Sequence, residues 1–230
     1  MGENVEFDSF DSDGGRTNGY LAVPQSGSGP GVVVIQEWWG LVDHIKDVCD
    51  RFAAEGFVAL APDVYHGKTT KAPDEAGKLM MALRIDQAEK DMSGAISYLL
   101  AHQATTGNNV GTVGFCMGGA LSLYVATKNS RVGACVVFYG VHPNVKPDLP
   151  NLQCPVLGIY AERDTFAPPA FVHELEENLR SLGKSIETHI YPGTDHAFFN
   201  DTRPEVYNAA AATDAWQKVI AFLNTNLATD

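Results

Sequence analysis

The hexapeptide GFCMGG, at residues 114–119, constrains the fold of this chain more than any other segment. An apolar run at 110–115 predicts a buried strand before it, and the run at 117–126 predicts a helix after it. The spacing G-x-C-x-G fits a sharp strand-to-helix turn that raises its central residue clear of the sheet. Glycines flank that residue because the turn brings neighbouring backbone too close for a Cβ, and the central residue itself is strained. The segment therefore predicts an α/β fold with Cys116 at the end of a strand.

Cys116 has the setting of a nucleophile. A thiol at the N-terminus of a helix lies at the positive end of the helix dipole, which favours the thiolate. The alternative is a buried structural cysteine in a glycine-rich turn. The other three cysteines, Cys49, Cys135 and Cys154, are too widely spaced for a disulfide framework and are predicted to be small core residues. Their distribution indicates a reducing, cytoplasmic setting.

Strand and helix patterns alternate along almost the whole chain. Strands are predicted at 4–10, 20–23, 31–36, 57–61, 110–115, 133–139, 156–160 and 186–191. Helices are predicted at 43–55, 73–84, 86–102, 117–126, 168–182 and 204–227. A turn at 11–15 is expected to join the first two strands as a hairpin, and a polar break is expected at 105–109. Unbroken apolar strands indicate a mostly parallel sheet of about eight strands, with helices on both faces, in a single domain spanning residues 1–230.

Composition excludes several classes of partner. The formal net charge is −12 with no compensating basic patch, which argues against nucleic acid or an anionic membrane surface. There is no apolar run long enough to span a membrane, and the N-terminal residues lack the pattern of a signal peptide. Neither a metal-ligand motif nor a dinucleotide fingerprint is present, so we expect no metal and no cofactor. The expected partner is a small molecule, and the expected state is a monomer or weak homodimer.

Two ionisable residues follow late strands, where ligands bind in doubly wound sheets. Asp164 follows the strand at 156–160, and His196 follows the strand at 186–191. The order nucleophile, acid, histidine is that of α/β-hydrolases. In this arrangement His196 takes the proton of Cys116 and later activates water, while Asp164 fixes the imidazole tautomer. Three further carboxylates near these positions remain alternatives to Asp164: Glu162, Asp195 and Asp201.

A second site element is QEWWG at residues 36–40, after the first buried strand. In α/β-hydrolases this loop supplies one N–H of the oxyanion hole, and the residue after the nucleophile supplies the other. Here those groups belong to Trp38 and Met117. Glu37 then places a carboxylate beside the thiol. A carboxylate and a thiolate so close together repel each other unless a cation pairs with them. Core or lid packing is the alternative role for Trp38 and Trp39.

Taken together, these segments resemble the dienelactone hydrolase family. The resemblance lies in Gln36-Glu37 with Gly40, APDVY at 61–65, the hexapeptide at 114–119, Tyr139-Gly140, Asp164 and GTDHAF at 193–198. It implies a cysteine–histidine–aspartate triad, formed here by Cys116, His196 and Asp164, on an α/β-hydrolase fold without a large cap. It also implies hydrolysis of an enol-lactone to a keto acid through a thioester. Glu37 would help to generate the thiolate when substrate binds, so that the resting thiol reacts poorly.

The chain departs from the family where a substrate carboxylate would be bound. The family uses two arginines, one of them four residues after the histidine, where this chain has Asn200. Arg84 and Arg203 could substitute, although neither lies at the family position. Arginine suits a carboxylate because its planar fork binds both oxygens. Three aromatic residues are further candidates for substrate contact: Trp39, Tyr139 and Phe198.

Other functions remain open at this point. A general carboxylesterase or thioesterase of the same fold is a near variant, and a non-catalytic binding protein that keeps the fold is a more distant one. An amidotransferase-like protein would need a His-x-Glu pair, whereas this chain has His196-Ala-Phe. A pH–rate profile together with thiol-alkylation kinetics would separate the enzyme from the binding protein.

Overall fold

The computed structural model describes residues 2–10 and 15–228. Its strands are β1 Glu3–Asp8, β2 Arg16–Ala22, β3 Gly29–Ile35, β4 Val58–Pro62, β5 Thr105–Phe115, β6 Val132–Phe138, β7 Val156–Ala161 and β8 Ile186–Tyr191. They form an eight-stranded sheet in the order β1-β2-β4-β3-β5-β6-β7-β8. β1 pairs antiparallel with β2, and β2 antiparallel with β4, while the other neighbours are parallel. The turn predicted at 11–15 lies, apart from Gly15, outside the described residues.

Helices connect and cover these strands. They are α1 Asp43–Ala54, α2 Pro73–Met81, α3 Ile85–Ala101, α4 Met117–Ala126, α5 Pro169–Ser181 and α6 Ala209–Leu227, with a short 3₁₀ helix at Leu149–Asn151. Val32, Val33, Val34 and Ile35 of β3 are fully buried. Because successive side chains of a strand point to opposite faces, both faces of the sheet are covered there, as predicted. None of the helices in the described residues combines the length and apolar character needed to cross a membrane.

The predicted polar break at 105–109 was wrong, because these residues begin β5. Thr105 and Thr106 pair with Gly29 and Pro30, at the start of β3. The register then shifts between Pro30 and Gly31, which pairs with Val110, so residues 107–109 form a bulge. The strand therefore starts with a polar, irregular segment that carries no apolar signal.

The last helix begins later than the sequence predicts. Asn208 takes an extended conformation, and its side-chain oxygen accepts a hydrogen bond from the N–H of Ala211 at 3.0 Å. Asparagine is a strong N-cap, so α6 starts at Ala209 and not at residue 204. Residues 202–207 form turns that return the chain from the end of β8 to α6. The remaining predicted strands and helices are present; α4 and β8 have the predicted bounds, and the others have shifted ends.

Candidate active site

Cys116 lies in the turn between β5 and α4, with φ 54° and ψ −122°. Such a positive φ is uncommon outside glycine, so the nucleophile candidate carries local backbone strain. The flanking glycines permit the turn. A Cβ on Gly114 would lie 1.8 Å from the carbonyl oxygen of Gly118, and one on Gly118 would lie 2.4 Å from that of Ile35. The turn therefore presents Cys116 above the carboxyl end of β5, where it is mostly but not fully buried.

Asp164 follows β7 and is oriented by three hydrogen bonds. Its Oδ1 accepts from the backbone N–H of Phe166 at 2.8 Å and of Ala167 at 3.0 Å. Its Oδ2 lies 2.7 Å from Nδ1 of His196. Burial raises the pKa of Asp164, but the hydrogen bond to His196 and the two backbone donors outweigh it and hold the pKa below its usual value. The carboxylate is thus fixed and aimed at the imidazole.

His196 joins this carboxylate to the thiol. Burial lowers its pKa, but the hydrogen bonds to Asp164 and Cys116 and the charges on both outweigh burial, raising the pKa to about 10. Because Nδ1 faces Asp164, Nε2 is the nitrogen left for the sulfur. Cys116, His196 and Asp164, which come from three loops far apart in sequence, are therefore brought into one chain of contacts.

The three alternative carboxylates bond elsewhere within the described residues. Glu162 accepts from the backbone N–H of Gly193 at 2.7 Å. Asp195 pairs with Arg163 at 2.9 Å, and Asp201 pairs with Arg51. Asp164 is the carboxylate that contacts His196.

The two amides predicted to form an oxyanion hole have no acceptor among the described hydrogen bonds. Met117 is the first residue of α4, so its N–H has no partner within the helix. Trp38 lies in the turn after β3, and its side chain lines the cavity next to Cys116. The side chain of Met117 is buried, with its sulfur accepting from the hydroxyl of Tyr65 at 3.2 Å. An oxyanion hole formed by these two N–H groups stays a prediction.

Glu37 lies at the end of β3 and lines the same cavity, almost fully buried. Its Oε2 accepts a hydrogen bond from Nδ2 of Asn200 at 2.7 Å. The sequence shows Asn200 at a position where the family has an arginine, and it does not predict this contact with Glu37. The only indication in the sequence that Asn200 lies near the site is its position four residues after His196.

A cavity of about 460 Å³ opens over Cys116 and His196. Its walls are mostly apolar, formed among others by Trp38, Trp39, Met80, Val141, Phe166 and Val206. Phe166 is 62% exposed, and its ring centre lies 5.1 Å from that of His196. The size and apolar lining suit a small organic ligand with the reacting group next to the sulfur.

Two of the five predicted substrate contacts line this cavity. Trp39 and Arg203 both do so, with the guanidinium of Arg203 5.6 Å from the centre of a Trp39 ring. Arg163 also lines the cavity, although sequence reasoning passed over it in favour of its neighbour Asp164.

The other three predicted contacts do not reach the cavity, which corrects the sequence-based expectation. Tyr139 and Phe198 are fully buried and pack against each other, with ring centres 5.8 Å apart. Tyr139 also packs against His196 at 4.9 Å, so it supports the imidazole from the core side. Ala197 has φ 66°, and the turn there sends Phe198 into the core. Arg84 is exposed at the start of α3, where it pairs with Asp86.

Comparison with known proteins gives a consistent result. Residues 17–227 match the family model described as "Dienelactone hydrolase family". The chain is 41% identical to "Protein usf" of Aquifex pyrophilus, covering 99% of this chain and 100% of that protein. It is 36% identical to a "Putative carboxymethylenebutenolidase" of Aquifex aeolicus, again with 99% and 100% coverage. A crystal structure of a "Putative Dienelactone Hydrolase" from Klebsiella pneumoniae superposes with a TM-score of 0.83 at 29% identity, covering 96% of this chain and 98% of that one.

Proposed function

Because this chain belongs to the dienelactone hydrolase family, we propose that it cleaves enol-lactones or activated esters through a thioester on Cys116. It is a hydrolase with an α/β-hydrolase fold. The observation that carries the specific proposal is the chain of contacts from Cys116 through His196 to Asp164, at the floor of an apolar cavity. A nucleophile hydrogen bonded to a base, which is itself oriented by a third group, is the arrangement that covalent hydrolysis requires.

The first half of the proposed reaction forms the thioester. Nε2 of His196 takes the proton of Cys116, and the resulting thiolate attacks the carbonyl carbon. The carbonyl oxygen becomes an oxyanion that the N–H groups of Trp38 and Met117 would stabilise. The intermediate then collapses, the carbon–oxygen bond breaks, and the leaving oxygen takes the proton from Nε2 of His196. For an enol-lactone the released enol becomes a ketone. Asp164 stabilises the imidazolium until that proton is transferred.

The second half uses a change in the charge of the sulfur. Cys116 raises the pKa of His196 through a hydrogen bond and through its charge. In the thioester the sulfur is uncharged, so both contributions vanish and the pKa of His196 falls. The imidazole can then accept a proton from water, whose oxygen attacks the thioester carbon. Collapse expels the thiolate, and the acid product leaves.

The test is a substrate panel with matched cysteine variants. Dienelactones, aryl esters and thioesters would be assayed with the wild type, Cys116→Ala, Cys116→Ser and Cys154→Ala. Cys154 is a buried cysteine outside the cavity, so it controls for loss of a thiol from the core. We expect Cys116→Ala to fall to the uncatalysed rate, Cys116→Ser to recover little, and Cys154→Ala to stay active. Retained activity in Cys116→Ala would reject the proposal, and preference for thioesters would favour the thioesterase alternative.

A further inference from the structure

The position of Glu37 bears on which substrates the cavity accepts. Its carboxylate is held by the neutral amide of Asn200, and its other oxygen, Oε1, is buried with no hydrogen-bond partner among the described residues. The amide orientation is itself fixed, because Oδ1 of Asn200 accepts from the N–H of Thr202 at 3.1 Å and from its hydroxyl at 2.6 Å. Nδ2 must therefore face Glu37. The carboxylate is thus anchored without being neutralised.

None of the ion pairs among the described residues joins the carboxylate of Glu37 to a cation. One basic residue, His44 of α1, interacts electrostatically with Glu37, and its Nδ1 lies 3.5 Å from Oδ1 of Asp201. His44 is buried and neither of its ring nitrogens makes a hydrogen bond. Burial lowers its pKa, so the imidazole is uncharged at neutral pH. Glu37 therefore lines the cavity as a buried carboxylate that has no cationic partner among the described ion pairs.

The two arginines that line the cavity are each paired with a carboxylate. Arg163 pairs with Asp195 at 2.9 Å, and Asp195 lines the cavity as well. Arg203 pairs with Glu205 at 2.9 Å. These pairs are partly exposed and individually weak, but each places a carboxylate beside an arginine that an anionic ligand would use. His196 also lines the cavity with a raised pKa, but it interacts with the charges of Asp164 and Cys116. Together with Glu37, these pairs leave the cavity without an excess of positive charge.

We propose that this cavity selects substrates with uncharged acyl groups and discriminates against those that carry a carboxylate near the scissile ester. The inference rests on the hydrolase function proposed above and names its substrate class. An anion brought beside Glu37 would meet a like charge in a partly dehydrated space, where charge–charge interactions are stronger than in water. An apolar acyl chain meets the aromatic and aliphatic walls and gains from burial.

The experiment compares two esters of equal acyl length and the same leaving group, 4-nitrophenyl pentanoate and mono(4-nitrophenyl) glutarate. For the wild type we expect kcat/KM for pentanoate to exceed that for glutarate by at least tenfold, with the ratio shrinking as salt is raised. Asn200→Arg places a cation against Glu37 and should reduce the ratio at least tenfold. Asn224→Arg adds the same charge on the exposed surface of α6 and should leave the ratio unchanged.

A second variant keeps the test decisive if Asn200→Arg folds poorly. Glu205→Gln removes the partner of Arg203 at an exposed position and should raise kcat/KM for the glutarate ester several-fold relative to pentanoate. A wild type that cleaves the glutarate ester as fast as pentanoate would overturn the inference while leaving the proposed function intact. Cleavage of neither ester would overturn the inference, and the function would be rejected with it if the dienelactones were not cleaved either. An unchanged ratio in a folded Asn200→Arg would also overturn it.

Discussion

Asp164→Asn is the substitution that most sharply separates a catalytic carboxylate from a structural one. Oδ1 of Asp164 accepts two backbone N–H groups, and Oδ2 accepts from Nδ1 of His196. Asparagine has a single acceptor oxygen, which will accept hydrogen bonds from the two fixed backbone N–H groups of Phe166 and Ala167. Its NH₂ group then faces Nδ1 and donates to it. The neutral imidazole must carry its proton on Nε2, where it cannot accept the proton of Cys116.

The size of the effect follows from these bonds. Losing a hydrogen bond to a charged group costs about 1.5–3 kcal/mol, or roughly 10- to 150-fold in rate. The wrong tautomer adds to this, and the same exchange in a serine triad costs ~10⁴-fold in kcat. We therefore expect kcat for an aryl ester to fall between about 10²- and 10⁴-fold. The pKa of His196 should also fall, because the hydrogen bond and charge of Asp164 are among the causes that raise it.

The assay is the steady-state release of 4-nitrophenol, with kcat and KM measured separately across pH. Asp214→Asn serves as the control, since Asp214 is a carboxylate that accepts from a tyrosine hydroxyl at 2.7 Å, outside the cavity. We expect this variant to keep its rate and Asp164→Asn to lose kcat with little change in KM. If Asp164→Asn kept more than a third of wild-type kcat, the assignment of the triad acid would be wrong.

Three further predictions follow from the same contacts. The pKa of His196 is about 10 in the folded protein, against 6.5 for an ordinary histidine. Protonated His196 therefore contributes fully to the free energy of unfolding below pH 6.5, and this contribution is lost as the pH rises to 10. In urea titrations the difference between wild type and His196→Gln should shrink over that range; a constant difference would contradict the shift. The family resemblance implies a poorly reactive resting thiol, but the interaction of His196 with the charge of Cys116 favours a resting ion pair. Iodoacetamide should therefore alkylate Cys116 at pH 6 at least tenfold faster in the wild type than in His196→Gln, and equal rates would exclude that ion pair. Gly114→Ala should lower the free energy of unfolding by at least about 1–3 kcal/mol, because the new Cβ would lie 1.8 Å from a backbone oxygen. Gly77→Ala in α2 is the control, since its Cβ would meet nothing closer than 4.0 Å. This variant should be as stable as the wild type or more stable.

The convergence of Cys116, Asp164 and His196 could be predicted from sequence because each lies at or shortly beyond the end of a strand. The carboxyl ends of parallel strands meet at one edge of the sheet, so position along the chain determines position at the site. Cys116, Asp164 and His196 are also separated from their strands by short loops, which leaves little freedom. In the structure Asp164 is hydrogen bonded to His196, which also interacts with Cys116, and their action as a catalytic triad stays a prediction.

The partners of Glu37 could not be predicted in the same way. Its bond to Asn200 joins residues 163 positions apart and depends on how one loop folds under another. Phe198 shows the same limit, because a single residue with positive φ, Ala197, turns it away from the cavity and into the core. The irregular start of β5 was missed because strand pairing, and not residue type, makes Thr105 and Thr106 part of the sheet.

The central claim is that the sulfur of Cys116 becomes acylated during turnover. The direct measurement is rapid quenching of the enzyme in acid during cleavage of 4-nitrophenyl pentanoate, followed by mass spectrometry of the intact protein and its peptides. We expect one pentanoyl group per chain, located on the peptide that contains Cys116, removed by hydroxylamine and absent from Cys116→Ala. Turnover with the acyl group on another residue, or undiminished turnover in Cys116→Ala, would contradict it.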